Sequence, residues 1–149
     1  MNHKLHAFTL SVLLLFFLGC TGTRPDYLGI KLEKLADCPT TPNCVSSFAN
    51  PDDKEHYRSS LSYKKPLKEA YAALKGKIEL TPRTKIIQEN PNYIYVEFTS
   101  RLMRYVDDVE FYFDEKNKQL HFRSASRLGK SDFGVNRSRI ESILKDLEI

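Results

Sequence analysis

The sequence predicts an α+β domain: an antiparallel sheet of four or five strands with two helices packed on one face. Three observations point there. Between positions 93 and 123 the chain alternates in three runs, carried by Ile94, Val96 and Phe98, then Val109, Phe111 and Phe113, then Leu120 and Phe122. Strict alternation marks strands buried on one side, and three runs in succession read as a meander. Leu67, Ala70, Tyr71, Leu74 and Ile78 recur at helical spacing, and so do Phe133, Ile140, Ile143, Leu144 and Leu147.

Taken in order, residues 20–37 read as a tether, with Leu28, Leu32 and Leu35 on one face of a weak helix that Gly29 interrupts. Fully extended, it could hold a domain spanning 38–149 up to roughly 55 Å from its start. Cys38 to Cys44 forms a proline-stiffened loop, and 45–53, rich in Ser, Asn, Pro and Asp, reads as surface loop. Leu61-Ser62-Tyr63 is a short first strand. Pro66 opens a helix running to about 77, since its fixed φ suits a first turn and its missing N–H costs nothing there. Pro82 forbids continuation. Ile86-Ile87 seeds the next strand, and Glu89-Asn90-Pro91-Asn92 turns the chain into the meander. A four-residue turn at 115–118 sets Phe111 opposite Phe122 and Phe113 opposite Leu120. On the outer face it sets Glu110 opposite Arg123 and Tyr112 opposite His121, so pattern and charge agree on one register. The last helix is expected to start near Phe133, capped by Ser131 or Asp132.

The first 19 residues read as a secretory signal: Lys4 gives a positive start, and 8–18 is an apolar run too short to span a bilayer. It ends Phe17-Leu18-Gly19-Cys20, which resembles the bacterial lipobox, with Cys20 as the lipidated residue. Lipidation would make attachment durable, because each buried methylene contributes about 0.8 kcal/mol. By the same resemblance Thr21, rather than Asp, favours an outer membrane and a periplasm-facing domain. Cys38 and Cys44 remain as an even pair; an oxidising compartment would close them into a disulfide worth about 2 kcal/mol. Their spacing, without a nearby His, matches neither a metal nor a redox pattern. Net charge falls from +4 to +3 once Lys4 is removed. That mild excess suits an anionic partner such as a membrane surface and makes no case for nucleic acid.

Three blocks, CPTTPNCVSS, EFTSRLMRYVDDVEFYF and RSASRLGKSDFGVNRSRIE, resemble the signature of the domain of unknown function 1499 family, over about residues 36–148. The resemblance implies a bacterial envelope protein or lipoprotein and supplies no reaction, cofactor or catalytic residue. Its motif positions here are Cys38, Cys44, Arg101, Arg104, Asp107, Asp108, Arg123, Ser124, Ser126, Arg127, Gly129, Ser131, Asp132, Asn136 and Arg137, with no roles attached.

Chemistry, if any, would lie in the basic run. Arg101, Arg104, Arg123, Arg127, Lys130 and Arg137 could converge at one end of the sheet beside the last helix, with Asn136 at that helix's start. Helix N-termini and arginine forks both favour anions. The competing reading, which we expect, is an ion-pair network in which Asp107, Asp108 and Asp132 take up the arginines, with a bend at Gly129 bringing Asp132 to Arg123 and Arg127. Asp107 and Asp108 are strand neighbours and face opposite ways, so they would not act together on one atom. His56 and His121 are the histidines left after signal removal, and no nucleophile elbow, P-loop, zinc motif or dinucleotide fingerprint occurs. No catalytic residue, metal or cofactor is assigned. The expected protein is an exported, lipid-anchored envelope protein that binds or scaffolds an envelope protein or an anionic ligand. The alternative is a small enzyme or anionic-ligand carrier built on the Arg/Asp cluster.

Overall fold

The computed structural model describes residues 21–149; the stretch read as a signal and Cys20 lie outside the described residues. Among these, six strands and two helices follow in the order β1 (Cys44–Ser46), β2 (Leu61–Ser62), α1 (Leu67–Glu79), β3 (Thr84–Asn90), β4 (Tyr93–Thr99), β5 (Val106–Asp114), β6 (Gln119–Ser126) and α2 (Val135–Leu144). The class is α+β, with one antiparallel sheet ordered β1-β6-β5-β4-β3 and with β2 also pairing to β6. β1 and β2 therefore share the outer edge of β6 end to end.

The meander has the expected register. Phe111 faces Phe122, Phe113 faces Leu120, Glu110 faces Arg123 and Tyr112 faces His121. The turn is fixed by Asp114, whose carboxylate accepts from the backbone N–H of Asn117 at 3.0 Å and from its side chain at 2.7 Å. Ile94, Val96, Val109, Phe111, Phe113, Leu120 and Phe122 lie fully buried against Ala70, Leu74 and Ile78 of α1 and Ile140 and Ile143 of α2. Each such large side chain contributes about 1.5–3 kcal/mol. That face is the main core.

Three expectations need correction. The 45–53 stretch is not all surface loop: Cys44, Val45 and Ser46 pair with Ala125, Ser124 and Arg123. A three-residue edge strand is too short to show a period, so composition alone spoke for a loop. Phe133 does not open the last helix. It is 96% exposed, with a left-handed φ of 54°, and α2 begins after Gly134. The two φ > 0 residues reverse the chain ahead of the helix, and so turn Phe133 away from the core.

The third correction concerns the segment read as a tether. From Arg24 to Leu35 it lies on the outer sheet face. Leu35 is buried with Tyr93, Tyr95 and Tyr112, and Leu28 and Ile30 pack beside them. The N–H of Gly29 donates to Glu110 at 2.7 Å, and Arg24 reaches Glu97 at 2.6 Å. With helices on one face and this segment on the other, β5 is buried at every position from Val106 to Phe113.

Candidate functional site

The outer face gathers three of the expected charged residues, Asp108, Arg123 and Arg127, and the ladder explains how. Asp108 faces Ala125 across the β5–β6 ladder, so Arg127, two positions on, shares its face as a diagonal neighbour. Arg127 donates to Asp108 through Nε at 2.9 Å and through Nη2 at 2.6 Å, and to the Tyr95 hydroxyl at 3.0 Å. It also donates to Glu97, whose carboxylate is shared with Arg24. Two guanidinium groups thus face two carboxylates, with the Tyr95 hydroxyl donating to Asp108. Burial works to raise the Glu97 carboxyl, but Arg127 and Arg24 outweigh it and hold it below its ordinary value. Burial and Asp108 push the Tyr95 phenol well up. Nε and Nη2 of both arginines are spent inside the cluster.

Beside this cluster lies a less complete one. Glu110 and Arg123 are both buried, at 0% and 1% side-chain exposure. One Glu110 oxygen accepts from Gly29 N–H and from the Tyr93 hydroxyl, at 2.7 and 2.8 Å. The other stands 3.8 Å from Arg123 Nη1. Arg123 lies under the Tyr27 ring, 5.1 Å from its centroid, and its Nη2 donates to the Tyr27 hydroxyl at 3.4 Å. Among the described residues, Glu110 Oε2 and Arg123 Nε and Nη1 have no hydrogen-bond partner. Burial raises the Glu110 carboxyl, and its hydrogen bonds and Arg123 only partly offset this.

The helix-facing side of the same motif is a polar hinge. Asn136 is buried; its amide donates to Asn43 O and to Ser126 Oγ, both at 3.0 Å. Its carbonyl accepts from the Ser124 hydroxyl and from Arg139 at 2.6 Å. Asn43 in turn donates to Gly129 O at 2.8 Å. One amide therefore ties α2, β6 and the Cys38–Cys44 loop together, and the disulfide closes that loop with Cα atoms 5.7 Å apart. Asp132 caps α2, accepting from the N–H groups of Gly134 and Asn136 at 3.0 and 2.7 Å. Arg139 pairs with Asp107 and covers the Phe98 ring at 4.7 Å. Arg137 donates to the carbonyls of Lys54, Glu55 and Tyr57. Asp107 and Asp108 do face opposite ways, each with its own arginine.

The structure thus divides the expected cluster. Arg123, Arg127 and Asp108 meet on the outer face; Asp107, Asp132, Asn136 and Arg137 lie on the helix side. Arg101, Arg104 and Lys130 are exposed on loops and reach neither group. Asp132 belongs to the helix cap and is no partner of Arg127. Arg24, Tyr27, Glu97, Glu110 and Arg139 were not singled out as site residues. The Glu110–Arg123 register was legible, but not its burial, which depends on the segment from Arg24 to Leu35. Arg139 had a weaker signal, lying three positions after Asn136 on the same helix face.

A shallow groove of about 300 Å³ between the end of α1 and α2 is lined by Lys77, Arg83, Phe98, Val135 and Arg139. Arg139 reaches it with its charge already paired. Among the described residues no group of His, Cys, Asp and Glu could hold a metal ion, and no helix is long and apolar enough to cross a membrane. No curated protein matches the chain. Residues 34–147 match the family described as protein of unknown function (DUF1499), a span holding the disulfide loop, the whole sheet and α2. The chain belongs to the DUF1499 family.

Proposed function

We propose that this protein is an exported envelope lipoprotein, anchored through Cys20, whose domain serves as a binding or scaffolding module without catalysis. The setting we favour is an outer membrane, with the domain facing the periplasm and an envelope protein or anionic surface as partner. One observation carries the reading. The chain is fastened to the sheet at Arg24 and Gly29, and Gly22 already lies against Arg127 and Leu128. A Cβ at position 22 would stand 2.9 Å from the Arg127 Cβ and 3.1 Å from Leu128 Cγ. A lipid on Cys20 would hold the domain at the bilayer, with almost no free tether. The arginines support a module over an enzyme: Arg127 donates to Asp108, Glu97 and Tyr95, Arg139 to Asp107, Ser124 and Asn136, and Arg137 to backbone carbonyls.

A carrier of a small polar ligand has one observation in its favour, the unpartnered atoms of Glu110 and Arg123 beneath Tyr27. They are few and deeply covered, and the module remains the better reading. Cys20→Ser tests the anchor: precursor should accumulate, and lipid labelling should vanish from the detergent-soluble membrane fraction. Normal processing with unchanged labelling would sink it.

A further inference from the structure

Nine large apolar side chains among the described residues are exposed, and seven of them sit at one end of the molecule: Leu80, Leu102, Met103, Tyr105, Leu128, Phe133 and Val135. The topology puts them together. The β4–β5 loop leaves the sheet at the Thr99–Val106 pair, and Arg127, which opens the β6–α2 loop, donates its N–H to Val106 O at 3.2 Å. The α1–β3 turn joins them, since Thr99 N–H donates to Arg83 O at 2.9 Å. Single exposed apolar residues need no explanation, but a cluster from three adjacent loops does. Leu102 is 86% and Phe133 96% exposed, and Phe133 holds a left-handed backbone that a bulky residue rarely adopts. The chain is constrained to point that ring outward.

The same end carries exposed Arg83, Arg101, Arg104 and Lys130. Three of the nearby carboxylates are already engaged, and a fourth, Glu55, lies beside Phe133. Asp107 is paired with Arg139, Asp108 with Arg127, and Asp132 accepts from helix N–H groups. The result is an apolar tip within a basic rim, the composition of a surface that sits in the headgroup layer of an anionic bilayer. The described chain also begins here, because Gly22 lies against Leu128 within this tip. We infer that the loops at 80–83, 100–105 and 128–135 form a membrane-docking face, with Leu102, Leu128 and Phe133 entering the lipid interface and the basic residues meeting anionic headgroups. This deepens the lipoprotein reading and rests on it. The anchor would press onto the bilayer the end of the sheet built to enter it, fixing the orientation of the domain.

The chain contains no tryptophan, so a single substitution makes a clean reporter. Full-length lipidated protein carrying Phe133→Trp, Leu102→Trp or Leu32→Trp would be reconstituted into vesicles of brominated phosphatidylcholine and phosphatidylglycerol. Leu32 is the control. It is 97% exposed, while its neighbours Leu28, Ile30 and Leu35 pack with Tyr93 and Tyr112, at the opposite end of β4 and β5. The tryptophans at 133 and 102 should lose most of their emission and shift to the blue, whereas that at 32 should do neither. Quenching at 133 should weaken when phosphatidylglycerol is omitted and in the Arg101→Glu, Arg104→Glu double variant. Vesicle-bound, lipidated protein with residues 133 and 32 equally unquenched overturns the docking face and leaves the anchor standing. Protein that carries no lipid and does not float with vesicles overturns the anchor itself. Quenching indifferent to both charge changes overturns anionic headgroups as the partner. A tryptophan at 133 unquenched by bromolipid but shielded from aqueous iodide assigns the tip to a protein partner or a second copy, and equally overturns the proposal.

Discussion

Arg127, just past the end of β6, donates to Asp108 of β5 at 2.6 Å and, with the same nitrogen, to Glu97 of β4. One guanidinium thus clasps three neighbouring strands at the end where their pairing finishes. Its side chain is 6% exposed and that of Asp108 only 2%. Removing one partner of so buried a pair leaves the other charge uncompensated, which costs about 3–5 kcal/mol. Arg127→Ala should therefore lower unfolding stability in urea by that order. Asp132→Ala should lose about 1 kcal/mol, the worth of a helix cap. The two residues share no partner, so the double variant should lose the sum. A clearly sub-additive loss would restore the direct Arg127–Asp132 contact that the loop sequence had led us to expect.

That contact illustrates what the sequence held and what it hid. Proximity along the loop favoured Asp132 as the partner of Arg127, yet the ladder register already placed Asp108 diagonally across from it. The register was legible because a period of two and one pair of opposite charges left no other fit. The burial of Glu110 and Arg123 was not, because it depends on Leu28, Ile30 and Leu35. The spacing of Leu28, Leu32 and Leu35 points to a helix face, whereas the tyrosines of the sheet select Leu28, Ile30 and Leu35 as the residues that cover them. Val45 was missed for a related reason: three residues cannot declare a period, and only the edge of β6 makes them a strand.

The disulfide loop does more than close a ring. Asn43, next to Cys44, accepts from Ser126 N–H and from Asn136, each at 3.0 Å, and so seats the start of α2. Cys38→Ser with Cys44→Ser should cost about 2 kcal/mol of unfolding free energy. The loss should show as faster amide exchange over residues 132–138 as well as a lower melting temperature. A non-reduced digest of envelope-derived protein should give the linked peptide; two free thiols there would exclude the bond.

Gly29 offers a direct test of the segment on the outer face. Its φ of 107° is one that side chains rarely adopt, and in that conformation its N–H meets Glu110. Gly29→Val should lift residues 24–35 from the sheet, since the cost is backbone strain and not a clash: a Cβ there would meet no atom within 4 Å. Faster proteolysis within that segment, with α1 and α2 still protected from exchange, is the expected signature. An unchanged cleavage rate would mean that Leu35 and Arg24 hold the segment without that hydrogen bond.

His56 and His121 should give stability a pH optimum near the ordinary imidazole value of about 6.5. Both ring nitrogens of His56 face acceptors, Asp53 at 2.7 Å and Thr41 O at 3.1 Å, and only the imidazolium can donate to both. Burial opposes the charge, but Asp53 and Thr41 prevail and its pKa is raised. Its contribution is therefore complete below the unfolded value and is lost as pH rises through the raised one. His121 behaves oppositely. It is stacked on Phe48 at 4.2 Å, and burial lowers its pKa, with Asp114 opposing only in part. Its contribution is present above the unfolded value and is lost as pH falls through the lowered one. Melting temperature should thus fall on both sides. His56→Gln should flatten the limb just above 6.5, and His121→Gln should flatten the limb just below it. Asp53→Asn should reproduce the first effect, because the raised pKa depends on that carboxylate. A wild-type curve rising steadily through 6.5, unaltered by His56→Gln, would mean that His56 is neutral in the folded protein.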